Sequence, residues 1–192
     1  MPSALPLLVL ASVSPRRREL LAQIGIAHLV SGADIDEAVL AGETPADYVV
    51  RMACAKARAV RARGGELPVL AADTTVVIDG LILAKPRDRG EAIAMLGRLS
   101  GRTHQVLTAV ALASLTGVAS RVSASEVRLR TVTAQECAAY WESGEPRDKA
   151  GGYAIQGRGA LFIEHLSGSF SGVMGLPLYE TGQLLAAAGI FP

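Results

Sequence analysis

The stretch "PLLVLASVSPRRRELLAQIG" (residues 6–25) decides how the rest of the chain is read. Residues 6–11 are apolar without alternation, the pattern of a strand buried on both faces. Ser14 then offers an N-cap and Pro15 a first helical position, Leu20, Leu21 and Ile24 mark one apolar face, and Gly25 closes the helix. A buried strand passing straight into a helix is the building step of α/β proteins. The same step places Arg16, Arg17 and Arg18 in the first helical turn, where each opposes the helix dipole by about 0.3–1 kcal/mol. A serine-rich turn at a helix N-terminus gathers backbone N–H groups, hydroxyls and positive potential, so Ser12, Ser14, Arg16 and Arg17 are candidates to hold a polyanion with forked guanidinium donors. The alternative is a solvated set of arginines paired with Glu19 or other nearby acids.

Working outward, "TPAD" at 44–47 opens a second helix that runs to Gly64-Gly65. Next, "LPVLAADTTVVIDGLILAKP" (67–86) reads as two strands joined at Asp79-Gly80, with Asp73 and Thr74 interrupting the first. Residues 88–99 are expected to be helical, two long strands flank Thr116-Gly117, and "TAQE" at 133–136 carries a capping box for another helix. Glycines crowd residues 144–175, which predicts short strands and tight loops over a site, and Pro177 starts a last short helix ending near Gly189. Hairpins mixed with crossovers predict an α/β fold with a mixed central sheet flanked by helices. No repeat, low-complexity tract or linker divides the chain, so residues 1–192 are read as one domain.

Composition narrows the function. The 192 residues are 50% apolar with a net charge of +1, which suits a packed enzyme-sized domain and disfavours a nucleic-acid-coating role. Two distant cysteines form neither a zinc motif nor a disulfide framework and fit a reducing cytoplasm. The apolar N-terminal run lacks a basic flank and is shorter than the ~20 residues a membrane span needs. P-loop, dinucleotide-binding, HExxH and GxSxG motifs are absent.

Asp73 is a carboxylate within an apolar, β-branched run, where a metal ion or a positioned water offsets its burial; a structural Asp bonded to backbone is the other reading. Lys85 ends the second strand and is expected opposite Asp73 across the hairpin, facing phosphate or solvent. Lys56 falls among Arg51, Arg58 and Arg61 and by itself reads as part of a solvated helix face. Asp34, Asp36 and Glu37 could supply oxygen ligands to a hard cation or simply line an exposed loop. In "GGYAIQG" (151–157), Gln156 offers a donor and an acceptor among glycines, suited to reading a base edge.

Four segments, "LASVSPRRRELL", "AADTTVVIDGLILAKPRD", "LSGRTHQVLTAVAL" and "DKAGGYAIQGRGALFIEHLSGSFSGVMGLPLYET", together resemble the Maf-like nucleoside triphosphate pyrophosphatases over nearly the whole chain. That resemblance implies two lobes around a cleft, a homodimer, and cleavage of a nucleoside triphosphate to the monophosphate and pyrophosphate with Mg²⁺ or Mn²⁺. It assigns phosphate binding to Ser12, Ser14, Arg16 and Arg17, a cleft acid to Glu37, and the proton acceptor to Asp73. Lys56 and Lys85 become its catalytic lysines, which reverses the solvated reading of Lys56, while Glu37 and Asp73 become metal ligands. Arg16, Thr74 and Gln156 resemble the subgroup acting on dTTP and UTP, with modified pyrimidine nucleotides as related substrates. Ala154 stands where that subgroup usually has Gly. The rival expectation is a nucleotide-binding regulator of cell division without catalysis.

Overall fold

A computed structural model describes residues 5–190; the one-domain reading of 1–192 therefore extends at both ends outside the described residues. Strand β1 (Leu8–Leu10) leads into helix α1 (Pro15–Gln23), followed by β2 (His28–Val30), α2 (Pro45–Arg61), β3 (Val69–Ile78), β4 (Leu81–Leu83) and α3 (Arg89–Leu99). Then come the long strands β5 (Thr103–Ser114) and β6 (Gly117–Leu129), α4 (Ala134–Glu142), three short 3₁₀ turns within 145–162, β7 (Ile163–Ser167), α5 (Phe170–Met174) and α6 (Leu178–Ala187).

Among the described residues seven strands form one mixed sheet in the order β2-β1-β3-β5-β6-β7, with β4 pairing off this path to β3. β1 runs parallel to β2 and β3, joined to each by chain that includes a helix, as parallel neighbours require. β3 with β4 and β6 with β7 are antiparallel. The predicted mixed α/β architecture is thus present, and among the described residues no helix is long and apolar enough to cross a membrane.

The chain divides into two compact units, each assembled from separated segments. The first takes the chain up to Asp73, residues 108–123 and the C-terminal segment from Gly175. It buries Leu8 and Leu10 of β1, Leu20 and Leu21 of α1, and Tyr48, Val49, Met52, Ala53, Ala57 and Val60, which recur at helical spacing along α2. The second unit takes residues 74–107 and 124–174, with a core that includes Val76, Leu96, Leu99, Val127, Tyr140, Tyr153 and Phe162. β3, β5 and β6 each supply residues to both units.

Local signals account for most boundaries. Thr44 caps α2 by accepting from the Asp47 N–H at 3.2 Å, Asp88 caps α3, and Thr133 with Glu136 forms the full capping box of α4. Ser14 is the N-cap of α1 by backbone geometry, but its side chain makes no cap bond. Asp73 and Thr74 do not interrupt β3, which is continuous from Val69 to Ile78. Asp79 and Gly80 both have positive φ, 52° and 75°, the two-residue turn that matches strand twist.

One expectation on this hairpin is corrected. Its ladder ends at Val76↔Leu83, so Lys85 lies past the last pair and has no cross-strand position opposite Asp73. Pro86, which cannot donate to a ladder, follows immediately.

Two glycines with nearly equal φ separate backbone strain from packing. An added Cβ meets nothing within 4 Å at Gly80 (φ +75°), but at Gly151 (φ +70°) it meets three Val76 atoms at 3.0 Å. Gly80→Ala should therefore cost about 1 kcal/mol of stability, and Gly151→Ala should lose a further ~1–3 kcal/mol from overlap inside a packed region. Urea unfolding of the two variants checks this; equal losses would show that the Val76 contact carries no weight.

Candidate functional site

At the end of β1 the Ala11 N–H donates to Leu70 O at 2.7 Å, carrying the strand ladder up to the serine turn. Ser12 is buried, and its Oγ accepts from the Ser14 N–H at 3.2 Å and from Arg17 Nη1 at 3.3 Å. Arg17 Nε also donates to Gly175 O at 2.7 Å. One hydroxyl thus folds the turn and fixes the second arginine of the triplet, so Arg17 is not a solvated surface charge. Burial lowers its pKa; the charges of Asp73 and Glu37 oppose that shift and Arg16 reinforces it. The four groups therefore share one electrostatic neighbourhood within the first unit.

The centre of that neighbourhood is Lys56. Its Nζ lies 2.6 Å from Asp73 Oδ1 and 2.6 Å from Glu37 Oε1, and only 12% of its side chain is exposed. The solvated reading of Lys56 fails because the next element in the sheet, β3, delivers a carboxylate to its helix face. Glu37 is the member of the acidic trio that reaches the lysine. Asp36 instead accepts from the Ala38 N–H at 2.9 Å within its own segment.

The segment bearing Glu37 is tied to α2 by residues that sequence reading missed. Tyr48 donates its hydroxyl to Glu37 O at 3.1 Å. Arg51 forks onto Glu43, at 2.5 Å to Oε1 and 2.6 Å to Oε2, and donates to Ala38 O at 2.9 Å. Arg63 Nη1 holds Ser31 Oγ at 2.9 Å and Gly32 O at 2.7 Å. Burial, with the nearby charges of Asp73 and Glu37, pushes the Tyr48 hydroxyl up to about 12, so it stays a donor. Side-chain bonding to Arg51 holds the Glu43 carboxyl down at about 2, against burial. The alternation of acids in 34–43 with cations on α2 was the available signal.

Thr74, Lys85 and Gln156 belong to the second unit. Thr74 is half-buried, next after Asp73 on β3, and strand alternation points it to the opposite face. Lys85 is exposed. Gln156 is half-buried and precedes the 3₁₀ turn Gly157–Phe162.

The loop carrying Gln156 begins at a buried pair. His104 Nε2 and the Tyr153 hydroxyl are 2.6 Å apart, with the rings edge to face at 5.4 Å. Burial lowers the His104 pKa from 6.5 to about 4 and pushes the Tyr153 hydroxyl up. His104 Nδ1 is buried with no hydrogen-bond partner among the described residues, so the charged ring would bury an unsatisfied donor. The imidazole is accordingly neutral and structural.

The chain as a whole is similar to known proteins. A family model described as Maf-like protein matches residues 7–188. The chain is 52% identical over 183 residues to a dTTP/UTP pyrophosphatase of Methylobacillus flagellatus, covering 94% of this chain and 92% of that protein. It is 53% identical over 184 residues to a dTTP/UTP pyrophosphatase of Methylococcus capsulatus, covering 95% and 91%. It is also 53% identical over 194 residues to one of Nitrosomonas europaea, covering 94% of each chain.

Two outcomes follow. Lys56→Met leaves two carboxylates without their shared cation and should cost on the order of 3–5 kcal/mol at neutral pH, read by urea unfolding; a loss below about 1 kcal/mol would show the three charges to be solvated. Folded His104 titrates near 4 and the unfolded group near 6.5. Its contribution to stability is therefore full above pH 6.5 and lost as pH falls towards 4, about 3 kcal/mol in all. His104→Gln should flatten that part of the stability profile, and an unchanged pH slope would contradict it.

Proposed function

The chain belongs to the Maf-like protein family, and from that membership we propose that it is a nucleoside triphosphate pyrophosphatase that cleaves the α–β phosphoanhydride of dTTP and UTP. The observation that carries the substrate is the identity of 52–53% over nearly full length to proteins named for those two nucleotides. Modified pyrimidine nucleotides and a homodimer fall within the same reading and rest on family membership, while a single catalytic domain rests on the absence of a linker in the sequence and a cytoplasmic location on the two distant cysteines.

In this reading Ser12, Ser14, Arg16 and Arg17 bind the phosphate tail at the head of α1. Arg17 suits the role because Ser12 and Gly175 already hold its guanidinium, so little side-chain entropy is lost when phosphate arrives. Asp73 takes the proton of the attacking water. Its Oδ1 accepts from Lys56 Nζ, which fixes the orientation of the carboxylate. Lys56 orients both acids, Lys85 adds positive charge towards the pyrophosphate leaving group, and Thr74 with Gln156 reads the pyrimidine edge.

The residues present fit a hard divalent cation. Asp73 and Glu37 bring carboxylate oxygens to one ammonium, and the three charges together are net negative. Among the described residues no group of three or more His, Cys, Asp or Glu is gathered for a metal. Mg²⁺ is ordinarily shared between one or two carboxylates and the substrate phosphates, and Asp73 and Glu37 are the two carboxylates at this ammonium. Bound there, Mg²⁺ or Mn²⁺ supplies charge stabilisation to the departing pyrophosphate.

The test is pyrophosphate release by the purified chain from dTTP, UTP, CTP, GTP and ATP with Mg²⁺ or Mn²⁺. Turnover should favour dTTP and UTP, and Asp73→Asn should lower kcat by about 10²–10⁴ while nucleotide binding persists. Near-native turnover in that variant would remove the role given to Asp73.

A further inference from the structure

The loop on either side of Gln156 is fastened by a chain of hydrogen bonds to the end of α4. The Glu145 carboxylate accepts from the Tyr140 hydroxyl at 2.7 Å (Oε1), from the Gly159 N–H at 3.0 Å (Oε1) and from the Arg158 N–H at 2.9 Å (Oε2). Tyr140 Oη in turn accepts from the Ala154 N–H at 3.1 Å. The bonds therefore grip the backbone two residues before Gln156 and two and three residues after it. None of them uses the Gln156 side chain.

Both anchors are themselves held. Tyr140 is buried and meets Phe162 edge to face at 5.1 Å. Ser143 Oγ donates to Tyr140 O at 2.6 Å and accepts from the Glu145 N–H at 3.3 Å. Burial disfavours the charged Glu145, but bonds from Tyr140, Gly159 and Arg158 outweigh it and keep the carboxyl below its ordinary range. The glycines beside Gln156 make room for this contact. A Cβ at Gly157 would come within 2.5 Å of Glu145 Oε2, and one at Gly159 within 2.7 Å of Tyr140 Oη.

We propose that Glu145 and Tyr140 are positioning residues for base discrimination: they hold the 154–159 backbone so that the Gln156 amide meets one pattern of donors and acceptors. The inference rests on the reading above that Gln156 faces the base. Rejection of a wrong base by hydrogen bonding requires that the protein's polar groups be left unpaired, and a loop free to shift would re-pair them. Rigidity here is therefore selectivity, and the clamp supplies it without touching substrate.

The experiment uses the full chain as wild type, Gln156→Ala, Tyr140→Phe, Glu145→Gln and the double variant Gln156→Ala/Glu145→Gln. For each, kcat and KM are measured on dTTP and CTP, with thermal unfolding and amide exchange at Arg158 and Gly159. Tyr140→Phe and Glu145→Gln should speed that exchange and lower the dTTP:CTP ratio of kcat/KM at least tenfold. The loss should come through KM for dTTP, with kcat within about threefold. In the double variant, adding Glu145→Gln to Gln156→Ala should change the ratio less than twofold, a coupling that a loss of stability alone would not produce. If Glu145→Gln does not fold, Tyr140→Phe, alone and combined with Gln156→Ala, is read by the same criteria. Selectivity that survives in folded clamp variants while Gln156→Ala loses it overturns this inference alone. A wild type without preference for dTTP over CTP, or an unchanged preference in Gln156→Ala, overturns the underlying reading and the inference with it.

Discussion

One ammonium between two carboxylates organises the first unit. Removing Asp73 and Lys56 from water is expensive, and their attraction compensates only because the geometry is close, at 2.6 Å, and because Glu37 shares the same Nζ. That triple contact joins three stretches distant in sequence: the acidic segment, α2 and β3. Each must be in place for the other two to be satisfied. Arg17, buried enough for its pKa to fall and near enough to feel both acids, completes a group whose charges nearly cancel within a small volume. In the proposed function such a group meets a ligand that brings both signs, a polyphosphate with its cation.

The fastening of the acidic segment shows why this arrangement costs surface charge elsewhere. Glu37 lies in a stretch with no secondary structure, and a loop carboxylate would ordinarily be too mobile to hold a buried lysine. Tyr48, Arg51 and Arg63 remove that freedom by binding its backbone at Glu37, Ala38 and Gly32. Arg51 does so while forked onto Glu43, so the cation that fixes one end of the loop is oriented by an acid from the other. On α2, Tyr48, Arg51 and Lys56 act as clasps on this segment.

Sequence pattern made the elements legible because their signals are local. The apolar run of β1, Pro15 at the head of α1, the cap at Thr44, the Asp79-Gly80 turn and the Thr133–Glu136 box each act within a few residues, and each appears where expected. Lys56 was not legible from helix periodicity, because its environment is set by β3 and by a loop that periodicity does not describe. The family motif assigned it where the residue pattern could not. The expected position of Lys85 opposite Asp73 failed for a related reason: strand propensity suggests a longer β4, but the ladder stops at Leu83, and Pro86 removes the donor a continuation would need. The Glu145–Tyr140 clamp leaves no local trace at all. A glutamate after a glycine reads as a helix end, and its partners lie 5, 13 and 14 residues away.

β3 sets the strictest condition on the whole arrangement. Asp73 and Thr74 are consecutive on a strand whose side chains alternate between faces, so a slip of one residue would exchange the proposed proton acceptor for the residue proposed to read the pyrimidine. The strand is pinned from both ends against that slip. Val9↔Val69 and Leu10↔Leu70 fix its start against β1, and Val76↔Leu83 through Ile78↔Leu81 fix its end against β4. The two-residue turn at Asp79-Gly80 permits no slack between those last pairs. Between the two anchors only Thr74 is less than fully buried, so the strand has no exposed stretch where the register could be absorbed or repaired. Where the carboxylate meets Lys56 is therefore constrained by the backbone pairing of β3 with its neighbours, not by the side chains of the site alone.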